Sequence, residues 1–413
     1  MRAPFEETQM NETSGVSKKL SVMMFLEFFI WGAWYVTVGN YIGAQGWDDA
    51  GATIGNVYTL MPIAALISPF FVGLIADRFF PTEKVLAFLF LLGGGIMLAV
   101  PVFADTSGKL IVLLGLYTLC YAPTLALTNS LAFHHVTNPE RQFPLIRVFG
   151  TIGWIVAGVL VSKVLGADES GLMFQVTGGA SIALGIFSFA LPHTPPAAAG
   201  QNTSLGDLMG LGTIKLMANP KFAVFMIASF LICIPLAAYY AFAPVYVNAM
   251  GIENPGFVMG FGQWAEVVFM LIMPLFFARL GVKWMLAVGM LAWVVRYALF
   301  SFGAPDQVEW MILGGILLHG ICYDFFFVTG QIYVDQAAPK EIRAQAQGFL
   351  VLMTQGLGLG IGAQVASRLV TANTTGDVSD WAAIWQLPAL LAAGILVLFV
   401  LFFRQDSPAE STS

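Results

Sequence analysis

Apolar runs of about twenty residues recur along almost the whole chain, and each is long enough to cross roughly 30 Å of hydrocarbon as a helix. They predict spans over 20–43, 53–77, 84–104, 110–133, 144–166, 171–191, 222–247, 256–279, 284–303, 310–334, 344–367 and 381–403. So many long runs cannot all be core helices of one soluble globule. Of the 413 residues, 58% are hydrophobic and only 10% charged, too few polar groups to clothe a water-soluble surface. Backbone groups inside lipid must find partners within their own segment, so the spans are helices. The fold class is all-α integral membrane, with about twelve transmembrane helices.

Orientation follows from Lys and Arg. With both termini cytoplasmic, inner ends and loops hold Arg2, Lys18, Lys19, Arg78, Lys84, Arg141, Arg147, Lys215, Lys221, Arg279, Lys283, Lys340, Arg343 and Arg404. Lys109, Lys163 and Arg368 fall outside, and Arg296 lies within the ninth span. This bias satisfies the positive-inside rule. The first twenty residues mix Glu6, Glu7 and Glu12 with Arg2, Lys18 and Lys19, which does not read as a removable signal peptide. Cys120, Cys233 and Cys322 all sit in spans without metal-ligand spacing, so neither a disulfide framework nor a metal site is expected. A net charge of -6 argues against a nucleic-acid partner. The partners expected are the lipid bilayer and a small solute, the protein itself being a monomer.

The longest polar interval separates six spans from six. It predicts an N-terminal half over 1–192, a cytoplasmic linker over 193–221 rich in Pro and small polar residues, and a C-terminal half over 222–413. Similar sequences recur across it, as in carriers built from repeated halves. Arg78 of GLIADR (73–78) and Arg279 of PLFFARLGVK (274–283) lie 201 positions apart, Tyr121 and Tyr323 lie 202 apart, and Arg147 and Arg343 lie 196 apart. The pattern of Gly73, Asp77 and Arg78 resembles the loop signature of the major facilitator superfamily. Such a loop can latch the cytoplasmic side through Asp77 and a neighbouring Arg; the plainer reading is a solvated charge pair.

Charges inside spans cost about 2.5 to 3.5 kcal/mol each on insertion scales, so they usually face the bundle interior and mark a pathway. Glu27, Arg147, Glu266 and Asp324 stand out. Arg147, Thr151 and Trp154 share one helical face at i, i+4, i+7, unless Arg147 simply snorkels to the cytoplasmic boundary. Gln263 and Glu266 stand i, i+3 in mid-span, which a structural hydrogen-bonded pair would also explain. Asp324 is equally deep, with Gln331 seven residues on and on the same face, and is the leading functional carboxylate. Glu27 heads a face with Trp31 and Trp34, although snorkelling would explain it too. Arg296 reads as packing or as an outward snorkel. His319, five residues before Asp324, could line a cavity, whereas Gly356, Gly358, Gly360 and Gly362 read as close helix contact.

Three buried carboxylates against one central cation suit a proton-coupled carrier, because unpaired buried carboxylates tend to take up protons. A membrane-embedded enzyme would need a catalytic constellation, and the chain holds no zinc-protease helix, serine elbow or paired catalytic histidines. No cofactor is expected beyond the proton as coupling ion.

FLEFFIWGAW (25–34), FPLIRVFGTIGW (143–154), QWAE (263–266), YDFF (323–326) and IRAQAQG (342–348) together resemble the nucleoside:proton symporters of bacterial inner membranes, a branch of the major facilitator superfamily. The likeness runs from the first span to the last. It implies the major facilitator fold and nucleoside import by alternating access. It further implies proton coupling by Asp324 and Glu266 with Arg147 as electrostatic partner, and a substrate bordered by Thr151, Trp154, Gln263 and Tyr323. The chain departs from that pattern at Ala237-Ala238-Tyr239-Tyr240 in the seventh span, where amide side chains are expected, and at Glu27, where a neutral amide is. Tyr239 and Tyr240 could stack on a ring and hydrogen-bond to it. They therefore join Trp34 and Gln331 as candidate substrate contacts and keep open a sugar or other polyhydroxylated cargo.

Overall fold

Apolar runs become helices here because a helix satisfies its own backbone, and positive-φ glycines, Gly46, Gly166 and Gly251, follow three of the helix ends. The computed structural model describes residues 4–71, 79–137, 139–196, 211–339, 342–376 and 378–404. Among them the helices are α1 Pro4–Tyr35, α2 Val38–Ala44, α3 Ala50–Phe71, α4 Thr82–Phe103, α5 Ser107–His135, α6 Pro139–Gly158 and α7 Leu172–Ser188. They continue with α8 Pro220–Ala249, α9 Pro255–Gly303, α10 Glu309–Leu317, α11 His319–Cys322, α12 Thr329–Ala337, α13 Arg343–Val351, α14 Leu359–Ala372 and α15 Trp381–Phe402. A two-residue hairpin pairs Thr374–Thr375 with Val378–Ser379.

Each of the twelve expected spans has a helix over its described residues. The eighth and ninth both lie within Pro255–Gly303, labelled α9, and are separated at Gly281, whose φ of 65 and ψ of 178 are not helical. Only glycine takes that conformation without strain, so the bend falls there. The first span begins earlier than its hydropathy and breaks at Thr37, whose φ of -114 leaves the helical region. The tenth is more broken still: α10 ends at Leu318, α11 is a single turn, and a π-helical turn over Tyr323–Val328 leads into α12. Two further π-helical segments are present, Val159–Val164 after α6 and Leu352–Gly358 between α13 and α14. Gly73, Asp77 and Arg78, the expected latch, lie outside the described residues.

Two compact units are present: one comprises Met1–Asp48 and Ala64–Thr203, the other Asp49–Ile63 and Ser204–Ser413, so far as these are described. The start of α3 thus groups with the C-terminal residues. Gly51 lets α3 lie close to α14, where an added Cβ would sit 2.9 Å from Thr371 Oγ1. Ser367 Oγ donates to the Gly51 carbonyl at 2.8 Å, and Gln364 Nε2 donates to Thr59 Oγ1 at 2.9 Å.

In the N-terminal unit α1 packs along α6, and α4 along α5 and α7. The α1 and α6 backbones nearly touch: an added Cβ at Gly153 would overlap the Phe25 carbonyl, and one at Gly32 would lie 3.1 Å from the Trp154 carbonyl. In the C-terminal unit α9 packs on α15 and α8 on α14. Added Cβ atoms at Gly358 and Gly362 would meet Cys233 and Ala237 of α8 at 2.7 Å, so these glycines serve close contact as their sequence suggests. The three cysteines are free and buried.

Candidate functional site

Close contact between α1 and α6 brings their marked faces together within the N-terminal unit. Trp31 meets Trp154 edge to face at 5.5 Å, and Tyr121 of α5 at 6.0 Å. The Arg147 guanidinium lies 3.9 Å above the Phe28 ring, close enough to Glu27 to act on it electrostatically. Arg147, Thr151 and Trp154 are all half-buried.

Glu27 is wholly buried and so does not snorkel. Its partner is Thr124, which sequence reasoning missed: Thr124 Oγ1 lies 2.7 Å from Glu27 Oε1 and 2.6 Å from the Tyr121 carbonyl oxygen. A hydroxyl has one proton to give and two lone pairs. If Glu27 is ionised, Thr124 donates to it. If Glu27 is protonated, it donates to Thr124, which then donates to the Tyr121 carbonyl. The geometry satisfies both states at Oε1, while Oε2 has no hydrogen-bond partner. Tyr121 OH also donates to the Glu27 backbone carbonyl at 2.7 Å, fixing α5 against α1. The signal in the sequence was Tyr121 and Thr124 at i, i+3. Trp34 is fully buried and packed edge-on against Tyr35 and Tyr117 at 5.6 Å.

In the C-terminal unit, Gly320 sets α11 on the backbone of α9. A Cβ added there would lie 2.6 Å from the Ala265 carbonyl and 2.7 Å from the Glu266 backbone nitrogen. This contact carries Asp324 to the neighbourhood of Glu266, which acts on it electrostatically. Asp324 is fully buried beside Phe325, Phe326 and Phe327, and neither carboxylate oxygen has a hydrogen-bond partner. Glu266, Gln263 and Tyr323 are half-buried. The structure therefore gathers Glu266, Asp324 and Tyr323 on adjoining helices, with Gln263 one turn before Glu266.

Gln331 departs from expectation. A turn closed from i to i+5 advances less angle per residue than an α-helix, so the i, i+7 relation to Asp324 no longer means one face. The π turn lies between them, and Gln331 is exposed while Asp324 is not. Its carbonyl accepts from Gln347 Nε2 at 2.7 Å. The aromatic composition of the segment gives no sign of the π turn.

Arg296 does not reach outward. It is 0% exposed, its Nε donates to the Gly315 carbonyl at 3.1 Å, and its guanidinium lies 4.0 Å above the Tyr239 ring. Tyr239 is buried in turn, stacked on His319 at 5.4 Å, and Tyr240 meets the same imidazole edge-on at 6.3 Å. No group of three or more metal-ligating side chains is found among the described residues.

Comparison with known proteins places this arrangement. A family model described as "Nucleoside H+ symporter" matches residues 14–408. A putative nucleoside transporter of Escherichia coli K12, YegT, is 40% identical over 402 residues, 94% of each chain. The xanthosine permease of the same organism is 31% identical over 410 residues, covering 96% of this chain and 97% of its own. Among solved structures, the nucleoside transporter NupG superposes with a TM-score of 0.85 at 28% identity, over 95% of this chain and all of that one.

Proposed function

The chain belongs to the nucleoside H+ symporter family, and from that premise we propose that Asp324 and Glu266 couple nucleoside import to proton entry. The protein is a multi-pass inner-membrane transporter of a small solute, with no enzymatic role.

One observation carries the coupling: Asp324 is buried with both oxygens lacking donors, beside a second carboxylate. A buried ionised carboxylate without partners is strongly disfavoured, so such a group binds a proton when sealed from water and releases it when water or a cation reaches it. The surrounding π turn suits this, since such turns break helix regularity at functional positions. In the N-terminal unit Arg147 is the proposed cation of the coupling machinery, within electrostatic reach of Glu27. Glu27 and Thr124 keep one hydrogen bond whether or not the carboxyl carries a proton. Thr151 and Trp154 on α6 are the proposed solute contacts of the N-terminal unit, and Gln263 and Tyr323 those of the C-terminal unit. A proton entering down the membrane potential supplies roughly 2.3 kcal/mol per 100 mV, enough for about fifty-fold accumulation of a neutral solute. The coupling ion is the proton, without further cofactor. Both termini face the cytoplasm, from the Lys and Arg bias, and the carrier works as a monomer.

Full-length relatives named for nucleosides favour that cargo over a sugar. The test is uptake of labelled uridine into proteoliposomes under an inward proton gradient, with unlabelled adenosine and simple sugars as competitors. Uptake that a protonophore abolishes and adenosine suppresses is the expected result. Absence of uridine uptake, or uridine uptake that simple sugars suppress and adenosine does not, would overturn it.

A further inference from the structure

Deep in the C-terminal unit three buried polar side chains sit together with unused hydrogen-bonding groups. Arg296 spends Nε on the Gly315 carbonyl, but Nη1 and Nη2 have no partner. Tyr239 OH and His319 Nδ1 have none either, and the three residues are 0%, 1% and 3% exposed. The guanidinium interacts electrostatically with the Cys322 thiol, the phenols of Tyr239, Tyr297 and Tyr240 and the His319 imidazole; none of these is a carboxylate. Among the described residues Arg296 forms no ion pair.

A guanidinium cannot shed its proton, so neutralisation cannot relieve the cost of burying it without an anion. The Tyr239 ring covers one face through a cation–π contact but leaves the in-plane N–H donors unused. That planar fork matches a small anion or a carboxylate. We infer that Arg296, Tyr239 and His319 form an anion-binding site, filled by a small monovalent anion that is either free chloride or the carboxylate of an acidic solute. The site adjoins the proposed substrate residues. A Cβ added at Gly262, beside Gln263, would lie 3.0 Å from His319 Cβ, and the His319 and Tyr323 rings are 6.0 Å apart.

The solute source rests on the nucleoside-carrier reading, and the chloride source does not. With the full-length protein in proteoliposomes, orotidine and uridine 5′-carboxylate are compared with uridine as competitors of labelled uridine uptake. In detergent, thermal unfolding is followed in sodium chloride against sodium HEPES at equal ionic strength. Hydrogen bonds to a charged group are worth enough that a carboxylated uridine should compete about tenfold better than uridine, an advantage lost in Arg296→Gln. If free chloride is the occupant, it raises the wild-type unfolding midpoint by several degrees and leaves Arg296→Gln unmoved. Tyr239→Phe keeps the cation and the stacked ring, and should weaken either preference roughly threefold even if Arg296→Gln does not fold. No preference for carboxylated uridines and no chloride effect on the wild type overturns the site. Missing uridine uptake would instead count against the nucleoside reading, while the chloride measurement still decides the site.

Discussion

The two units each bury a carboxylate, and they treat it differently. Glu27 meets a hydroxyl 2.7 Å away that can give or take a proton, so one hydrogen bond survives in either ionisation state. Asp324 is as deeply buried but has no hydrogen-bond partner at either oxygen, and its neighbour Glu266 is a second carboxylate. A carboxyl satisfied in both states gains little from changing state. A carboxyl satisfied in neither is free to follow its surroundings. On the proposed reading, exchange falls to the C-terminal pair and Glu27 takes a structural role.

Variants at the two carboxylates test that contrast most sharply. Asp324→Asn keeps the shape and removes the titratable proton. Concentrative uptake of uridine should fall at least about tenfold, the scale of losing one coupled charge step, while uridine counterflow continues; retained accumulation would remove Asp324 from the mechanism. Glu266→Gln removes the second carboxylate and leaves Asp324 titratable, so initial uptake should fall roughly fivefold, about 1 kcal/mol. Thr124→Val leaves the Glu27 carboxyl without its hydroxyl, a loss of about 1 to 3 kcal/mol for a buried group. It should lower the unfolding midpoint without changing the number of protons moved per solute. Glu27→Gln, which can still hydrogen-bond to Thr124, should change uptake by less than about twofold. A larger loss there than in Asp324→Asn would invert the comparison.

Much of this was legible from the residues. Hydropathy shows the spans because lipid leaves the backbone no alternative to helix, and in-span charges announce themselves by their cost. What a one-dimensional reading lacks is partnership. Thr124 looks like any span threonine until α5 is laid against α1. Arg296 sits towards the outer end of its span, where snorkelling is the ordinary outcome, yet the Tyr239 ring and the Gly315 carbonyl hold it inward. Gln331 misled for a different reason: helical spacing assumes an unbroken α-helix, and the π turn at Tyr323–Val328 breaks that assumption at the residue of most interest. The break at Gly281, which separates the eighth span from the ninth, is likewise a matter of one residue's backbone angles.

The most direct measurement is proton movement itself. Uridine is added to lightly buffered, de-energised cells or proteoliposomes carrying either the wild type or Asp324→Asn, and external pH is followed. Alkalinisation on adding uridine to the wild type, absent in a folded and correctly inserted Asp324→Asn that still exchanges uridine, is the result expected. Equal alkalinisation in both would contradict the assignment of coupling to Asp324.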